Sequence, residues 1–83
     1  MRYRVALKPR AEKELKKLPK RDYERMLAVL SVLAENPYAG KKLKGEYRDF
    51  YSIRAWPYRL IYYIHQKEVL IIVVRISHRQ GAY

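Results

Sequence analysis

The spacing of apolar residues predicts a strand and then two helices in the first part of the chain. Residues 2–7 alternate polar and apolar side chains, which is typical of a half-buried strand. Pro9 favours a helix start, and apolar residues then recur at helical spacing until Pro19. A second stripe predicts a helix over about residues 21–35, which the Asn36-Pro37 pair ends. The two stripes consist of Ala11, Leu15 and Leu18, and of Tyr23, Met26, Leu27, Leu30 and Leu33.

The remainder of the chain predicts a loop followed by three strands. Residues 37–46 are basic and contain two glycines, which indicates a loop with turns. Apolar and aromatic residues then predict strands over 47–55, 58–65 and 69–77. The links between these strands are too short for crossovers, so we expect antiparallel hairpins. Residues 70–74 are apolar on both faces, which favours a central position for the last strand.

We therefore expect a single α+β domain over residues 1–83, with the element order β-α-α-β-β-β. The sheet is small and antiparallel-rich, and the two N-terminal helices pack on one face. Two helices cannot cover both faces, so the other face is expected to be open to a ligand. The chain has no cysteine, no apolar signal region and no run near the roughly 20 apolar residues that span a bilayer. These features favour a cytoplasmic protein without membrane contact.

Net charge narrows the choice of partners. The chain has 19 Lys and Arg residues against 8 Asp and Glu, a formal net charge of +11. Such a surplus attracts polyanions, so nucleic acid is the first candidate partner and an acidic protein is the second. The alternative is a solvated, charge-rich surface of the thermophilic kind, but those surfaces usually balance the two signs.

Two arginines flank the predicted turn at Trp56-Pro57. With a two-residue loop, Arg54 lies directly opposite Arg59, and like charges opposed on one sheet face are destabilising. A phosphate between them would reverse the sign of that contribution. Proline is unusual at the second loop position, and a slip of one residue would separate the pair and leave two solvated arginines.

The distribution of acidic residues argues against a metal site. From Phe50 to the end of the chain the only acid is Glu68, in a turn, and His65 and His78 have no metal-ligand spacing. No metal and no cofactor is therefore predicted, and cleavage of nucleic acid would use RNA, whose 2′-hydroxyl is its own nucleophile. That reaction needs a base, cations for the phosphorane charge and an acid for the leaving oxygen. The side chains of suitable type are Arg54, Arg59, Arg79, His78 and Tyr83.

Four short motifs, KLKG, Y-x-I-R, YRLIY and HR-x-x-x-Y, occur in this order in the second half of the chain. With the opening strand and AEKELKKLPK, their spacing resembles RelE/ParE-superfamily toxins of type II toxin–antitoxin modules, on the RelE side. The resemblance implies a ribosome-dependent mRNA endoribonuclease that uses 2′-hydroxyl attack without metal. It also implies three partners, namely the ribosome with its rRNA, mRNA and a cognate acidic antitoxin that forms a hetero-oligomer with the toxin.

The resemblance also implies roles for individual residues. Arg59 matches the arginine that contacts the scissile phosphate, and Arg79 matches the second phosphate-binding arginine. Tyr83 matches the C-terminal tyrosine that stacks on or orients the mRNA base. Arg54 stands where RelE has a lysine, and Ser52 stands where RelE has the lysine assigned as general base.

Serine cannot replace a lysine as the base, so Ser52 is the main departure from the family pattern. Arg54 is a poor base because a guanidinium group holds its proton, whereas an imidazole can both accept and donate one, so His78 becomes the candidate acid or base. Phe50 and Tyr63, on the open face, either stack on bases or pack on each other. The predicted RNA-binding residues are Lys41, Lys42, Lys44, Arg48 and Ser52.

Two alternatives stay open at this point. A ParE-like gyrase inhibitor shares the fold without nuclease activity, but such proteins usually lack the set formed by Arg59, Arg79 and Tyr83. A weakly active or degenerate homologue that only binds RNA or antitoxin is the other alternative, because the lysine is missing at Ser52.

Overall fold

Five strands and two helices make up the part of the chain that the computed structural model describes, residues 2–78. The helices begin at Pro9 and one residue after Pro19, as the proline positions predict. In chain order the elements are β1 (Arg4–Leu7), α1 (Pro9–Lys16), α2 (Lys20–Glu35), β2 (Lys41–Lys42), β3 (Tyr51–Ala55), β4 (Tyr58–His65) and β5 (Leu70–His78).

The strands form one mixed sheet in the order β1-β5-β4-β3-β2. β1 is parallel to β5, and all other neighbours are antiparallel. The predicted α+β class is confirmed. β5 is an interior strand between β1 and β4, as its apolar composition requires, but the middle position belongs to β4.

Two predicted boundaries are wrong in the segment before β3. Residues 41–42, expected in a loop, pair with β3 as a two-residue strand. The expected strand over 47–55 begins only at Tyr51, because Gly45, with φ of +69°, opens a short 3-10 turn over Gly45–Tyr47. Arg48 therefore lies in the turn before β3 and not on the strand, which was predicted to include it.

Both helices pack on the same face of the sheet. The core consists of helix residues Ala11, Leu15, Met26, Leu30 and Leu33 against strand residues Ala55, Leu60, Tyr62, Ile71, Val73 and Ile76. Along β4 the core positions alternate with Arg59, Ile61 and Tyr63, which point to the opposite face. Within residues 2–78 no helix covers that opposite face, which we call the open face. No helix of this part of the chain is long and apolar enough to cross a membrane.

Tyr62 connects the core to the segment before β2. Its hydroxyl donates to the Pro37 carbonyl oxygen at 2.8 Å and accepts from the Gly40 backbone N–H at 3.1 Å. A Cβ atom at position 40 would lie 2.6 Å from the Tyr62 hydroxyl and 2.9 Å from the Ser52 carbonyl oxygen, so only glycine fits. These contacts hold the basic segment that begins at Lys41 against β3.

The outer edge of β5 is covered first by β1 and then by α1. β1 pairs with residues 70–73 only. Beyond a bulge at Val74, the Glu14 carboxylate of α1 accepts the Ile76 backbone N–H at 2.8 Å and the Arg75 Nε–H at 3.1 Å. A helix side chain thus satisfies the backbone donor that the short first strand leaves unpaired.

Candidate nucleic-acid interface

Arg54 and Arg59 lie directly opposite each other on the open face. The β3–β4 register pairs Arg54 with Arg59 and Ala55 with Tyr58, around a two-residue loop of Trp56 and Pro57. The peptide bond between these two loop residues is cis, which suits proline at that position. The predicted juxtaposition is confirmed, and the register slipped by one residue is excluded.

A cleft of ≈450 Å³ opens beside the arginine pair. It is bounded by β3 and by the segment of β2, where Lys41 pairs with Ser52. The neighbouring Lys42 pairs with Tyr51 and therefore belongs to the other face of the sheet, and Lys44 is exposed in the loop that follows. The cleft is lined by Ala39, Gly40, Lys41, Leu43, Ser52, Ile53, Arg54 and Arg59.

The chemistry of this cleft suits a phosphate group. Arg54 is exposed, Arg59 is half-buried and Lys41 is exposed, so three cationic side chains border one concave surface. Guanidinium groups hold phosphate oxygens through paired hydrogen bonds and stay charged at every physiological pH. They can bind and stabilise negative charge but cannot accept a proton. The hydroxyl of Ser52 is the remaining polar side chain of the cleft.

Ser77 is a residue that sequence reasoning missed. It pairs with Arg59 across β4 and β5, and it is 4% exposed. Its hydroxyl oxygen is buried without a hydrogen-bond partner among residues 2–78. Its position in the sequence could have indicated it: Ser77 directly precedes His78 in β5, so the two side chains lie on opposite faces of the sheet. A buried, unpaired hydroxyl beside the arginine pair is a polar group that a bound ligand can satisfy.

His78 lies on the other side of the sheet from the arginine pair. It pairs with Tyr58, and their rings meet edge to face with centroids 5.5 Å apart. The Tyr58 hydroxyl in turn donates to Asp22 of α2, so this side is the helix-covered one. Of the predicted catalytic set, Arg54 and Arg59 are brought together, whereas His78 is not. Arg79 and Tyr83 lie outside the described residues.

Aromatic rings continue the open face beyond the cleft. Phe50 stacks on Tyr63 with ring centroids 5.7 Å apart and an interplanar angle of 19°, and Tyr47 lies 6.4 Å from Phe50. The rings therefore pack on each other, which is the cross-strand alternative weighed above. Between residues 2 and 78 no three His, Asp or Glu side chains come together in a group that would hold a metal ion.

Comparison with known proteins gives a consistent set of relatives. The sequence model of the family described as ParE toxin of the type II toxin–antitoxin system parDE matches residues 5–83. The chain is 31% identical over 88 residues to the protein named putative toxin RelE1 of Methanocaldococcus jannaschii, covering 100% of this chain and 97% of the relative.

Solved structures of toxin–antitoxin complexes have the same fold. The RelBE2 complex of Mycobacterium tuberculosis contains a chain that superimposes with a TM-score of 0.88 at 30% identity, covering 95% of this chain and 100% of that one. For the archaeal RelE–RelB complex of Pyrococcus horikoshii OT3 the TM-score is 0.82 at 31% identity, with coverage of 99% and 100%. The two-helix, five-stranded architecture is thus shared over nearly the whole length of both chains.

Proposed function

The chain belongs to the ParE-toxin family of type II toxin–antitoxin systems and is RelE-like, and from this premise we propose that it is a ribosome-dependent, metal-independent mRNA endoribonuclease. The observation that carries the proposal is the opposition of Arg54 and Arg59 on the open face, beside a cleft that Lys41 and Ser52 also line. Cleavage of mRNA in the ribosome would stop translation, which accounts for toxicity.

The proposed reaction is an attack of the RNA on itself. The 2′-oxygen attacks the adjacent phosphorus, its proton passes to a base, and the bond from phosphorus to the 5′-oxygen breaks as that oxygen takes a proton. The products are a 2′,3′-cyclic phosphate and a 5′-hydroxyl, and no co-reactant is consumed. Arg59 binds the scissile phosphate, with Arg54 and Arg79 offsetting the charge that develops in the transition state. Tyr83 stacks on the base next to the cleavage site.

The proposed reaction uses no metal because the five strands described above carry too few carboxylates to hold one. Magnesium sites for two-metal cleavage need clustered carboxylates, and the chain has a single acid after residue 50, Glu68 in a turn. The 2′-hydroxyl of RNA removes the need for a metal-activated water. Cations, which the cleft supplies, are then the main requirement.

His78 is proposed as the acid or base for the proton transfers. Serine at position 52 has no basic group, and arginine holds its proton. For this role the His78 side chain has to leave the ring of Tyr58 and turn round the end of β5. A His78→Gln variant is expected to lower the cleavage rate, and an unchanged rate would assign the proton transfer to another group.

The proposed partners are polyanions. The ribosome is bound through its rRNA. The message is bound through four basic residues and one serine, which fits the net charge of +11; these are Lys41, Lys42, Lys44, Arg48 and Ser52. Because ribosomes are the target, the site of action is the cytoplasm. The solved relatives are named as complexes of RelE with RelB, and by analogy an acidic antitoxin neutralises this chain as a hetero-oligomer.

Primer extension on a translated message tests the proposal. With purified ribosomes in a translation mixture, the wild type should produce discrete new 5′ ends within the coding sequence, and the same message without ribosomes should stay intact. Arg59→Ala should abolish these ends, while Arg2→Ala, at an exposed position remote from the cleft, should retain them. Expression in cells should arrest growth, and Arg79→Ala should restore it.

A gyrase inhibitor without nuclease activity is the second candidate. The specific observation in its favour is that the matching family is described by its ParE toxins. In this case the message stays intact under translation, and the purified protein blocks gyrase-catalysed supercoiling of a plasmid. A protein that does neither but binds RNA would be the degenerate homologue.

A further inference from the structure

Two hydrogen bonds fasten the tip of the β3–β4 hairpin to the first turns of α2. The Arg25 Nη2–H donates to the Trp56 carbonyl oxygen at 2.7 Å, and the Tyr58 hydroxyl donates to Asp22 Oδ2 at 3.1 Å. Arg25 Nη1 also lies 3.5 Å from Asp22 Oδ1, so the two helix residues form an ion pair. Arg25 binds the loop at Trp56, and Asp22 binds it at Tyr58.

The two contacted residues lie close to the arginine pair in sequence: Tyr58 directly precedes Arg59, and Trp56 lies two residues after Arg54. Side chains alternate along a strand, so Tyr58 points to α2 while Arg59, the next residue, points to the cleft. Fixing the Tyr58 side chain on one face therefore fixes the backbone from which Arg59 projects on the other. Two guanidinium groups opposed on one face repel each other, which favours separation of the two strands at the tip. The contacts to α2 oppose that separation.

Tyr58 also contacts the end of β5. Its ring meets the His78 ring edge to face, and on the opposite face Ser77 is the cross-strand neighbour of Arg59. Burial and the hydrogen bond to Asp22 raise the pKa of Tyr58 above its ordinary value of 10. A tyrosine hydroxyl is protonated at neutral pH even at its ordinary pKa, and the raised pKa keeps Tyr58 a donor at more alkaline pH.

We infer that Asp22, Arg25 and Tyr58 are positioning residues, a clamp on the helix-covered face that holds Arg54 and Arg59 at the separation that a phosphate group requires. The inference rests on the proposed function, since it assigns these residues to the same phosphate site. None of the three touches the RNA in this arrangement. They act through the hairpin backbone, and the substrate group concerned is the scissile phosphodiester.

Single-turnover cleavage on translating ribosomes measures the effect of the clamp. Tyr58→Phe removes one hydroxyl and keeps the ring, and it should lower the maximal rate about tenfold, since small misplacements of catalytic groups cost factors of this order. The toxin concentration at half-maximal rate should change less than twofold, because the surface that binds the ribosome is intact. Asp22→Ala should behave in the same way, whereas Asp22→Asn keeps an acceptor for Tyr58 and should recover most of the rate. The control is Arg21→Ala, at an exposed position of the same helix turn.

A double-variant comparison separates positioning from general stability. In an Arg54→Gln background the repulsion across the hairpin is gone, so adding Tyr58→Phe should cost less than a further twofold in rate. The same tenfold loss in both backgrounds would overturn the inference, as would Tyr58→Phe at full rate. Circular dichroism confirms that each variant is folded.

The clamp is also measurable if the protein cleaves no RNA. Titration with inorganic phosphate, followed through the Nε–H resonances of Arg54 and Arg59, should give at least threefold weaker binding for Tyr58→Phe than for the wild type. Wild-type binding without cleavage would reject the proposed function and keep the clamp. Equal phosphate affinities in the wild type and Tyr58→Phe would reject the clamp.

Discussion

Gly40 and Tyr62 show how single residues determine where the basic segment lies. The Tyr62 hydroxyl, at the centre of the core, is the partner of two backbone groups on either side of Ala39. Tyr62 is 0% exposed, so a lost contact there leaves a polar group buried without a partner. Lys41, one residue after Gly40, borders the cleft beside Arg54 and Arg59 as a consequence of this core contact.

Replacing Gly40 by alanine is expected to destabilise the protein. The added methyl group would lie 2.9 Å from the Ser52 carbonyl oxygen, a backbone atom that cannot move without disturbing β3. The expected loss in free energy of unfolding is about 1–3 kcal/mol, measured by urea denaturation. Gly45→Ala has open space around the added atom and a φ of +69°, so its loss, about 1 kcal/mol, reports backbone strain alone. A Gly40→Ala loss below that of Gly45→Ala would contradict the steric argument.

Tyr62 should also make stability fall at alkaline pH. Burial raises its pKa above the ordinary value of 10, so the folded state keeps the proton that the unfolded chain releases near pH 10. This contribution to stability is fully present below pH 10 and is lost as the pH rises through the folded-state pKa. Tyr62→Phe should be less stable than the wild type at pH 7 by about 1–3 kcal/mol and should decline less steeply above pH 10. Tyr47→Phe, at an exposed site, is the control, and parallel pH profiles for Tyr62→Phe and the wild type would contradict the account.

At the scale of elements, α1 completes the sheet where β1 ends. Glu14, with 23% of its side chain exposed, holds Arg75 and the Ile76 backbone N–H at the outer edge of β5. This edge carries the bulge at Val74, after which Ser77 comes opposite Arg59. A charged helix residue thus stabilises the part of β5 that pairs with Arg59.

Glu14→Leu should cost about 2–3 kcal/mol in free energy of unfolding, because it leaves a buried backbone N–H and a half-buried guanidinium without their partner. Glu14→Gln keeps an acceptor for Ile76 and should cost about 1 kcal/mol. The matched control is Glu12→Gln on the same helix, whose ion pair with Lys16 is exposed and worth about 0–0.5 kcal/mol. Equal losses at positions 14 and 12 would show that Glu14 is only a surface charge.

The long elements were predictable from the sequence because periodicity and proline positions determine them. Pro9 and Pro19 set the helix starts, and the Trp56-Pro57 loop set the register that opposes Arg54 and Arg59. The two-residue strand β2 carries no periodicity of its own, since it is held by the contacts of Tyr62 and Gly40. The side of the sheet on which His78 lies depended on the β-bulge at Val74, which no local pattern marks.

At the scale of the whole molecule, net charge is the dominant property. A surplus of 11 positive charges on 83 residues attracts polyanions, and attraction of this kind weakens as the salt concentration rises. Affinity for ribosomes should fall by at least tenfold between 50 and 200 mM salt if about three or more phosphates are contacted. Filter binding or sedimentation with purified ribosomes measures this slope, and an affinity that is flat over the range would contradict an rRNA-binding surface.

A message with one 2′-deoxynucleotide at the cleavage position tests the central claim most directly. In a translation mixture with wild-type protein, the all-ribose message should be cut to a 2′,3′-cyclic phosphate and a 5′-hydroxyl, and the 2′-deoxy message should stay intact at that position. Cleavage of the 2′-deoxy message at an unchanged rate, or ends that carry a 3′-hydroxyl and a 5′-phosphate, would contradict attack by the 2′-hydroxyl at the arginine pair.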